Sequence, residues 1–219
     1  MIRKTRIKRT WLAAAVIASG SLLATALPAN AETGVSASEI KLGITLPLTG
    51  AASPGYNKIG NAINAYFKYV NDNGGVYGRK VTLIQKNDEY SPQLSIAKTN
   101  ELILRDKVFA LVGPLGTANF TAVHKSVGLA KRGVPSLFLN TGFSGFSNKK
   151  SYPSSFMILP SYAMEAKIIA QFLKENHAGK KLGIVYQNDE FGIDGLGAFR
   201  AAGTKFDVSI PYTSGTQSA

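Results

Sequence analysis

The 219-residue chain contains no cysteine, only two histidines and one tryptophan. Without cysteine there are no disulfides and no thiolate metal ligands, so packing alone must hold the core. A bacterial lipid anchor of the usual kind is excluded as well, because it requires a cysteine at the cleavage site. The two imidazoles, His124 and His177, give base catalysis little to draw on. His124 falls inside a helical pattern, and His177 sits near a helix end beside Gly179, where the dipole accommodates it. No H-x-x-x-H pair and no D-x-D-x-D-G loop is present, so neither a zinc nor a calcium site is expected.

Other chemistries are missing by spacing. Gly142-Phe143-Ser144-Gly145 resembles the start of a nucleophile elbow, but Phe146 stands where the last glycine belongs. The turn after the first expected strand, Leu46-Pro-Leu-Thr-Gly50, lacks the G-x-G-x-x-G of a dinucleotide fold. Gly192-Ile-Asp-Gly195-Leu-Gly197 has the reversed spacing, and Gly179-Lys180 lacks the rest of a phosphate-binding loop. The paired acids Asp88-Glu89 and Asp189-Glu190 are read as loop-shaping groups, since adjacent carboxylates do not converge on one bond. No cofactor is expected.

Charge excludes a further class. The chain carries 25 Lys and Arg against 13 Asp and Glu, a net +12. Five of the bases, Arg3, Lys4, Arg6, Lys8 and Arg9, precede the apolar run Trp11–Leu27, which closes on Ala29-Asn30-Ala31. A basic start, a short apolar run and small residues at a peptidase spacing make residues 1–31 a secretory signal peptide. The run is short for a membrane span. The remaining 20 bases and 13 acids balance at +7, and the bases are scattered in pairs. Nucleic-acid binding would need a stripe of bases interleaved with stacking aromatics, and none is present.

What is present is an alternation of strands and helices. Strands are expected over Ser36–Leu46, Val81–Gln85, Val108–Val112 and Pro135–Leu139. Helices are expected over Gly55–Asn71, Ser91–Arg105 and Thr117–Ala130. In the first helix Ile59, Ala62, Ile63, Tyr66, Phe67 and Val70 recur at helical spacing. Such an order implies right-handed crossovers and a parallel sheet. Asn140–Ser155 reads as a loop, with a domain crossing at 156–160. A second series follows: a helix carrying Met164, Ile168, Ile169, Phe172 and Leu173, a strand Leu182–Tyr186, a polar loop Gln187–Asp194, a helix Leu196–Ala202 and a strand Phe206–Tyr212. This divides the chain into residues 1–31, a first α/β lobe over 32–158, and the beginning of a second lobe over 159–219.

The turns at the strand ends carry hydroxyls and bare backbone rather than acids or bases. Gly113-Pro-Leu-Gly116-Thr117 and Asn140-Thr141-Gly142 come from adjacent strands. Open α/β sheets bind ligands beyond the carboxyl ends of their strands. Thr117 is placed either to cap its helix or to meet a ligand. A helix amino terminus attracts carboxylates, and Gly116 permits close approach to the backbone. The pattern points to holding a small molecule rather than transforming it, so no enzyme is expected.

Several segments together resemble the substrate-binding proteins of branched-chain amino-acid-type ABC transporters. They are Ile44-Thr-Leu-Pro-Leu-Thr-Gly50, Asn73-Gly-Gly-Val-Tyr-Gly78-Arg, Asp88, Val112-Gly-Pro-Leu-Gly-Thr117, Val134–Gly142 and Tyr186-Gln-Asn-Asp-Glu-Phe-Gly192. The resemblance implies an α/β periplasmic-binding-protein type I fold with flavodoxin-like lobes that close on a solute like a flytrap. By position, Thr117 is implied to grip a ligand carboxylate and Asn140 to contact the ligand through its backbone. Gly142 falls where relatives often carry threonine, and Thr141 beside it is the substitute hydroxyl. Phe191 is implied to cover the ligand from the second lobe, and Tyr56 to form an aromatic wall. The implied partners are a small solute, such as a branched-chain amino acid or a related amide or carboxylate, and a membrane ABC permease. A sensory ligand-binding domain of the same fold, a non-functional fragment and an enzyme on a flavodoxin-like sheet are the alternatives. Family members are longer, so the second lobe is expected to be incomplete and binding by this chain alone to be weak.

Overall fold

The computed structural model describes residues 32–213. The expected signal peptide lies outside the described residues. Strand β1 (Glu39–Leu46) leads through a loop and a short 3-10 turn into helix α1 (Ile59–Asp72). Strand β2 (Lys80–Asn87) follows, then α2 (Pro92–Asn100), which continues as a π turn to Arg105. The expected Ser-Pro start of α2 is realised: Ser91 is its N-cap, accepting from the Leu94 amide, with Pro92 at the first helical position. Strand β3 (Ala110–Val112), helix α3 (Thr117–Val127) and strand β4 (Ser136–Leu139) complete the alternation expected for the first part.

These strands form one parallel sheet in the order β2-β1-β3-β4, extended by β5 (Ser155–Met157). Strand β5 falls across the expected loop 140–155 and crossing 156–160. It has three residues that run straight on into Ile158 and Leu159, too few to show a period of two. The parallel α/β architecture expected from the alternation is the one observed.

Neighbouring residues of a strand point to opposite faces, and the core divides accordingly. Leu111 packs with Phe120, Val123, Leu139 and Phe146 on the face covered by α2 and α3. Val112 packs with Ile44, Leu46 and Leu83 on the face covered by α1. Only part of the expected apolar face of α1 is used. Ile59, Ile63 and Phe67 pack against the sheet, whereas Tyr66 stays 64 % exposed beside an apolar groove shared with Phe138 and Ile158.

The second series comprises α4 (Tyr162–Asn176), β6 (Gly183–Gln187), α5 (Glu190–Ala201) and β7 (Val208–Tyr212). Strands β6 and β7 pair in parallel as a separate two-stranded sheet. Val185, Val208, Ile210 and Phe172 remain exposed, as follows from a two-stranded sheet with little apolar surface to pack on. The expected polar loop Gln187–Asp194 is corrected: Asp189 caps α5, accepting from the amides of Phe191 and Gly192, so Glu190–Asp194 are helical. Among the described residues, no helix is long and apolar enough to cross a membrane.

Candidate functional site

The chain leaves β1 towards β2 on one side and returns to β3 on the other. A doubly wound sheet opens its ligand crevice at such a reversal, beyond the carboxyl ends of the two strands. The turn Gly113–Gly116, after β3, lies at that point.

Gly116 is the N-cap of α3, with φ 101° and ψ 138° and no side-chain cap bond. The capping role considered for Thr117 therefore does not apply. Thr117 is the first helical residue, and its hydroxyl points across to the turn after β4. Its Oγ1 lies 2.7 Å from Thr141 Oγ1, and both residues are 1 % exposed. Thr141 Oγ1 also accepts from the Phe143 amide at 3.1 Å and lies 3.2 Å from the Tyr162 hydroxyl. The Tyr162 amide donates to the Gly142 carbonyl at 2.7 Å.

Both turn glycines lie beneath tyrosine rings. A Cβ on Gly116 would meet the Tyr90 ring at 2.8 Å and Asn119 Oδ1 at 3.1 Å. One on Gly142 would meet the Tyr162 ring at 2.7 Å and the Pro160 carbonyl at 2.7 Å. The close approach that these glycines permit is taken up by the protein's own aromatics.

Tyr90 reaches this position through a left-handed turn. Glu89 and Tyr90 have φ 51° and 59°, a region that costs a non-glycine residue free energy unless its surroundings fix it. Asp88 does the fixing. Its carboxylate accepts from the Tyr90 amide at 3.0 Å and the Ser95 hydroxyl at 2.8 Å, and its carbonyl accepts from the Ser91 amide. Asn119 of α3 donates to Ser95 Oγ at 2.8 Å, which ties α2 to the start of α3. Burial pushes the Asp88 carboxyl above its ordinary 3.8, against the bonds from Tyr90, Ser95, Thr45 and Asn119 that hold it down. The Tyr90 hydroxyl is pushed up to about 12 by burial and by the charge of Asp189, against a hydrogen bond with Gln187.

The second series meets the first here through Tyr162 and Asp194. Phe191 stands edge-on to Tyr162, with ring centroids 5.1 Å apart. The Asp194 carboxylate accepts from the Ser144 amide at 3.0 Å. The side chain of Gln187 donates to Asp189, whose carboxylate also caps α5.

Of the residues singled out in the sequence, Gly116, Thr117, Asn140, Thr141 and Gly142 are contiguous, and Phe191 joins them through Tyr162. Tyr56 is 44 % exposed in the 3-10 turn before α1. Asn140 has its backbone engaged: its amide donates to Pro114 at 3.0 Å and its carbonyl accepts from Gly116 at 3.4 Å. Tyr90 and Tyr162 were not singled out. Tyr90 follows the Asp88-Glu89 pair and Tyr162 follows a Pro160-Ser161 helix start, yet neither position carries a spacing that sets it apart from the other tyrosines.

The arrangement offers hydroxyls, helix amides and aromatic faces. Among the described residues, no cluster of histidine and acidic groups could hold a metal ion. His124 packs against Tyr152 and His177 against Phe172. Ser144 opens a 3-10 turn rather than a strand-to-helix elbow.

Comparison with known proteins agrees with this architecture. The Leu/Ile/Val-binding protein BraC3 of Rhizobium johnstonii is 24 % identical over 181 residues, covering 83 % of this chain and 48 % of the relative. A substrate-binding periplasmic protein from Ralstonia solanacearum superposes with a TM-score of 0.75 at 24 % identity, over 81 % of this chain and 50 % of that one. A solute binding protein of an ABC transporter from Rhodopseudomonas palustris, solved with 3,4-dihydroxybenzoic acid, gives a TM-score of 0.67 at 26 % identity, over 80 % of this chain and 47 % of that one. The chain spans about half the length of the curated relatives it matches. The family described as periplasmic binding protein matches residues 39–218, and with a parallel α/β sheet beneath that match the chain belongs to the periplasmic binding protein family.

Proposed function

We propose that the chain is the solute-binding component of an ABC importer, exported by its residues 1–31. It holds a small polar solute, such as a branched-chain amino acid or a related amide or carboxylate, and binds best one that carries an acid group. The cleft lies between a lobe of residues 32–158 and a lobe that starts at 159. Thr117 and the amides of α3 take the acid group, Thr141 supports Thr117 from behind, and Phe191 and Tyr56 flank the rest of the molecule. A membrane permease receives it.

The observation that carries this reading is the buried pair of threonine hydroxyls at the sheet's reversal point, beside a helix start that no side chain caps. Uncapped helix amides favour an anion, and a hydroxyl beside them adds a neutral donor at no desolvation cost of charge. The neighbours' names support the solute class: one is a Leu/Ile/Val-binding protein and another was solved with an aromatic acid.

Amide chemical-shift titration of the full chain with leucine, isoleucine and 3,4-dihydroxybenzoate at millimolar concentration tests the reading. The expected result is saturable shifts at Gly116, Thr117, Thr141 and Phe191, reduced about tenfold or more in affinity by Thr117→Val, as for loss of a hydrogen bond to a charged group. Saturable shifts confined to other residues, or equal binding by Thr117→Val, would overturn it.

A further inference from the structure

Thr141 Oγ1 has three polar neighbours: the Phe143 amide at 3.1 Å, Thr117 Oγ1 at 2.7 Å and the Tyr162 hydroxyl at 3.2 Å. A threonine hydroxyl has one proton to give and two lone pairs to accept with. The Phe143 amide, which can only donate, occupies one lone pair. One lone pair and the proton remain for two hydroxyls. Thr141 therefore accepts from one of them and donates to the other. The three hydroxyls form a chain with two senses. In one, Tyr162 donates to Thr141, Thr141 to Thr117, and the Thr117 proton is free. In the other the order is reversed, the Thr117 proton is spent on Thr141, and Tyr162 keeps a free proton.

The sense is decided by what meets Thr117. An anionic acceptor beside the α3 amides takes the Thr117 proton and selects the first sense. The three aligned O–H dipoles then reinforce one another, with the positive end toward the ligand. We propose that Tyr162 is a positioning residue of the binding site: through Thr141 it sets Thr117 as a donor and so favours a carboxylate over the corresponding carboxamide. Tyr162 belongs to α4, so the helix that opens the second series takes part in reading the ligand's charge without touching it. This inference rests on the proposed role of Thr117 for ligand selectivity, but the hydroxyl chain itself is testable without ligand.

The ligand-free test is a double-variant cycle in urea on the full chain, with Tyr162→Phe and Thr117→Val. After either single change Thr141 keeps one hydroxyl partner for its proton. After both, that proton is buried with no acceptor. The double variant is expected to raise the unfolding constant about fivefold or more beyond the product of the single effects, the cost of one buried unsatisfied donor. Additive effects would overturn the chain. The ligand test compares leucine with leucinamide by amide-shift titration. Tyr162→Phe keeps the ring over Gly142 and against Phe191. It is expected to weaken leucine about threefold to tenfold and leucinamide less than about twofold. Phe191→Leu is expected to weaken both alike. An unchanged leucine-to-leucinamide ratio in Tyr162→Phe would overturn the positioning role. If the unaltered chain binds neither probe, the solute reading and the selectivity role fall together, whereas the urea cycle still decides the hydroxyl chain.

Discussion

Three glycines separate two costs that are usually confounded, backbone strain and crowding. Gly74 has φ 96° with nothing within 4 Å of a Cβ, so Gly74→Ala meets strain alone. Gly142 has no positive φ, but a Cβ there lies 2.7 Å from both the Tyr162 ring and the Pro160 carbonyl, so Gly142→Ala meets crowding alone. Gly116 has φ 101° and a Cβ position 2.8 Å from the Tyr90 ring, so Gly116→Ala meets both. Left-handed backbone costs alanine about 1–2 kcal/mol at Gly74. Overpacking against a fixed carbonyl costs about 1–3 kcal/mol at Gly142. At Gly116, strain of about 1–3 kcal/mol adds to about 1 kcal/mol for driving a partly buried tyrosine off its rotamer, roughly 3 kcal/mol in all. The assay is urea unfolding. With a slope of about 2 kcal/mol per molar, Gly116→Ala is expected to lower the midpoint by about 1.5 M and Gly74→Ala by about half of that. The Tyr90 environment is expected to change in the folded Gly116→Ala variant only. A Gly116→Ala midpoint no lower than that of Gly74→Ala would refute the packing of Tyr90 on the turn.

Asp88→Asn tests the buried carboxyl. Because its folded pKa is raised, the folded state keeps a proton that the unfolded state has lost; the stability this provides is complete below pH 3.8 and disappears as pH rises through the folded value. The difference in unfolding free energy between wild type and Asp88→Asn is expected to drift against wild type over that interval, and a pH-independent difference would contradict the assignment. Tyr90→Phe is expected to remove a transition near pH 12 from the ultraviolet titration of the tyrosines, and loss of an ordinary transition near 10 instead would show Tyr90 to be solvated. Asp194→Ala removes the acceptor of the Ser144 amide, so hydrogen exchange at Ser144 is expected to quicken about tenfold while that at Leu111 is unchanged. Unaltered exchange at Ser144 would mean that the bond contributes nothing to the junction between the two series.

Much of the fold was legible because its signals are local. Ser91-Pro92 announces a helix start, and Val108–Val112 has the continuous apolar character of a strand buried on both faces. The sequence pattern starts this helix at Leu196 rather than Glu190 because Gly192, Asp194 and Gly195 have poor helix propensity. Asp189 capping and the packing of Gly192 against the backbone of Gln187 outweigh that propensity. The two threonines of the site were legible as hydroxyls at strand ends. Their engagement with each other, and their cover by Tyr90 and Tyr162, depend on which loops the crossovers bring together. The left-handed turn that aims Tyr90 has no glycine to betray it, since Asp88 holds Glu89 and Tyr90 there through hydrogen bonds.

The central claim is that the Thr117 and Thr141 turns receive the acid group of a small solute. A crystal structure of the full chain grown with saturating leucine tests it most directly. The account predicts the leucine carboxylate within hydrogen-bond reach of Thr117 Oγ1 and the first amides of α3. Leucine bound with its carboxylate remote from that helix start would contradict it.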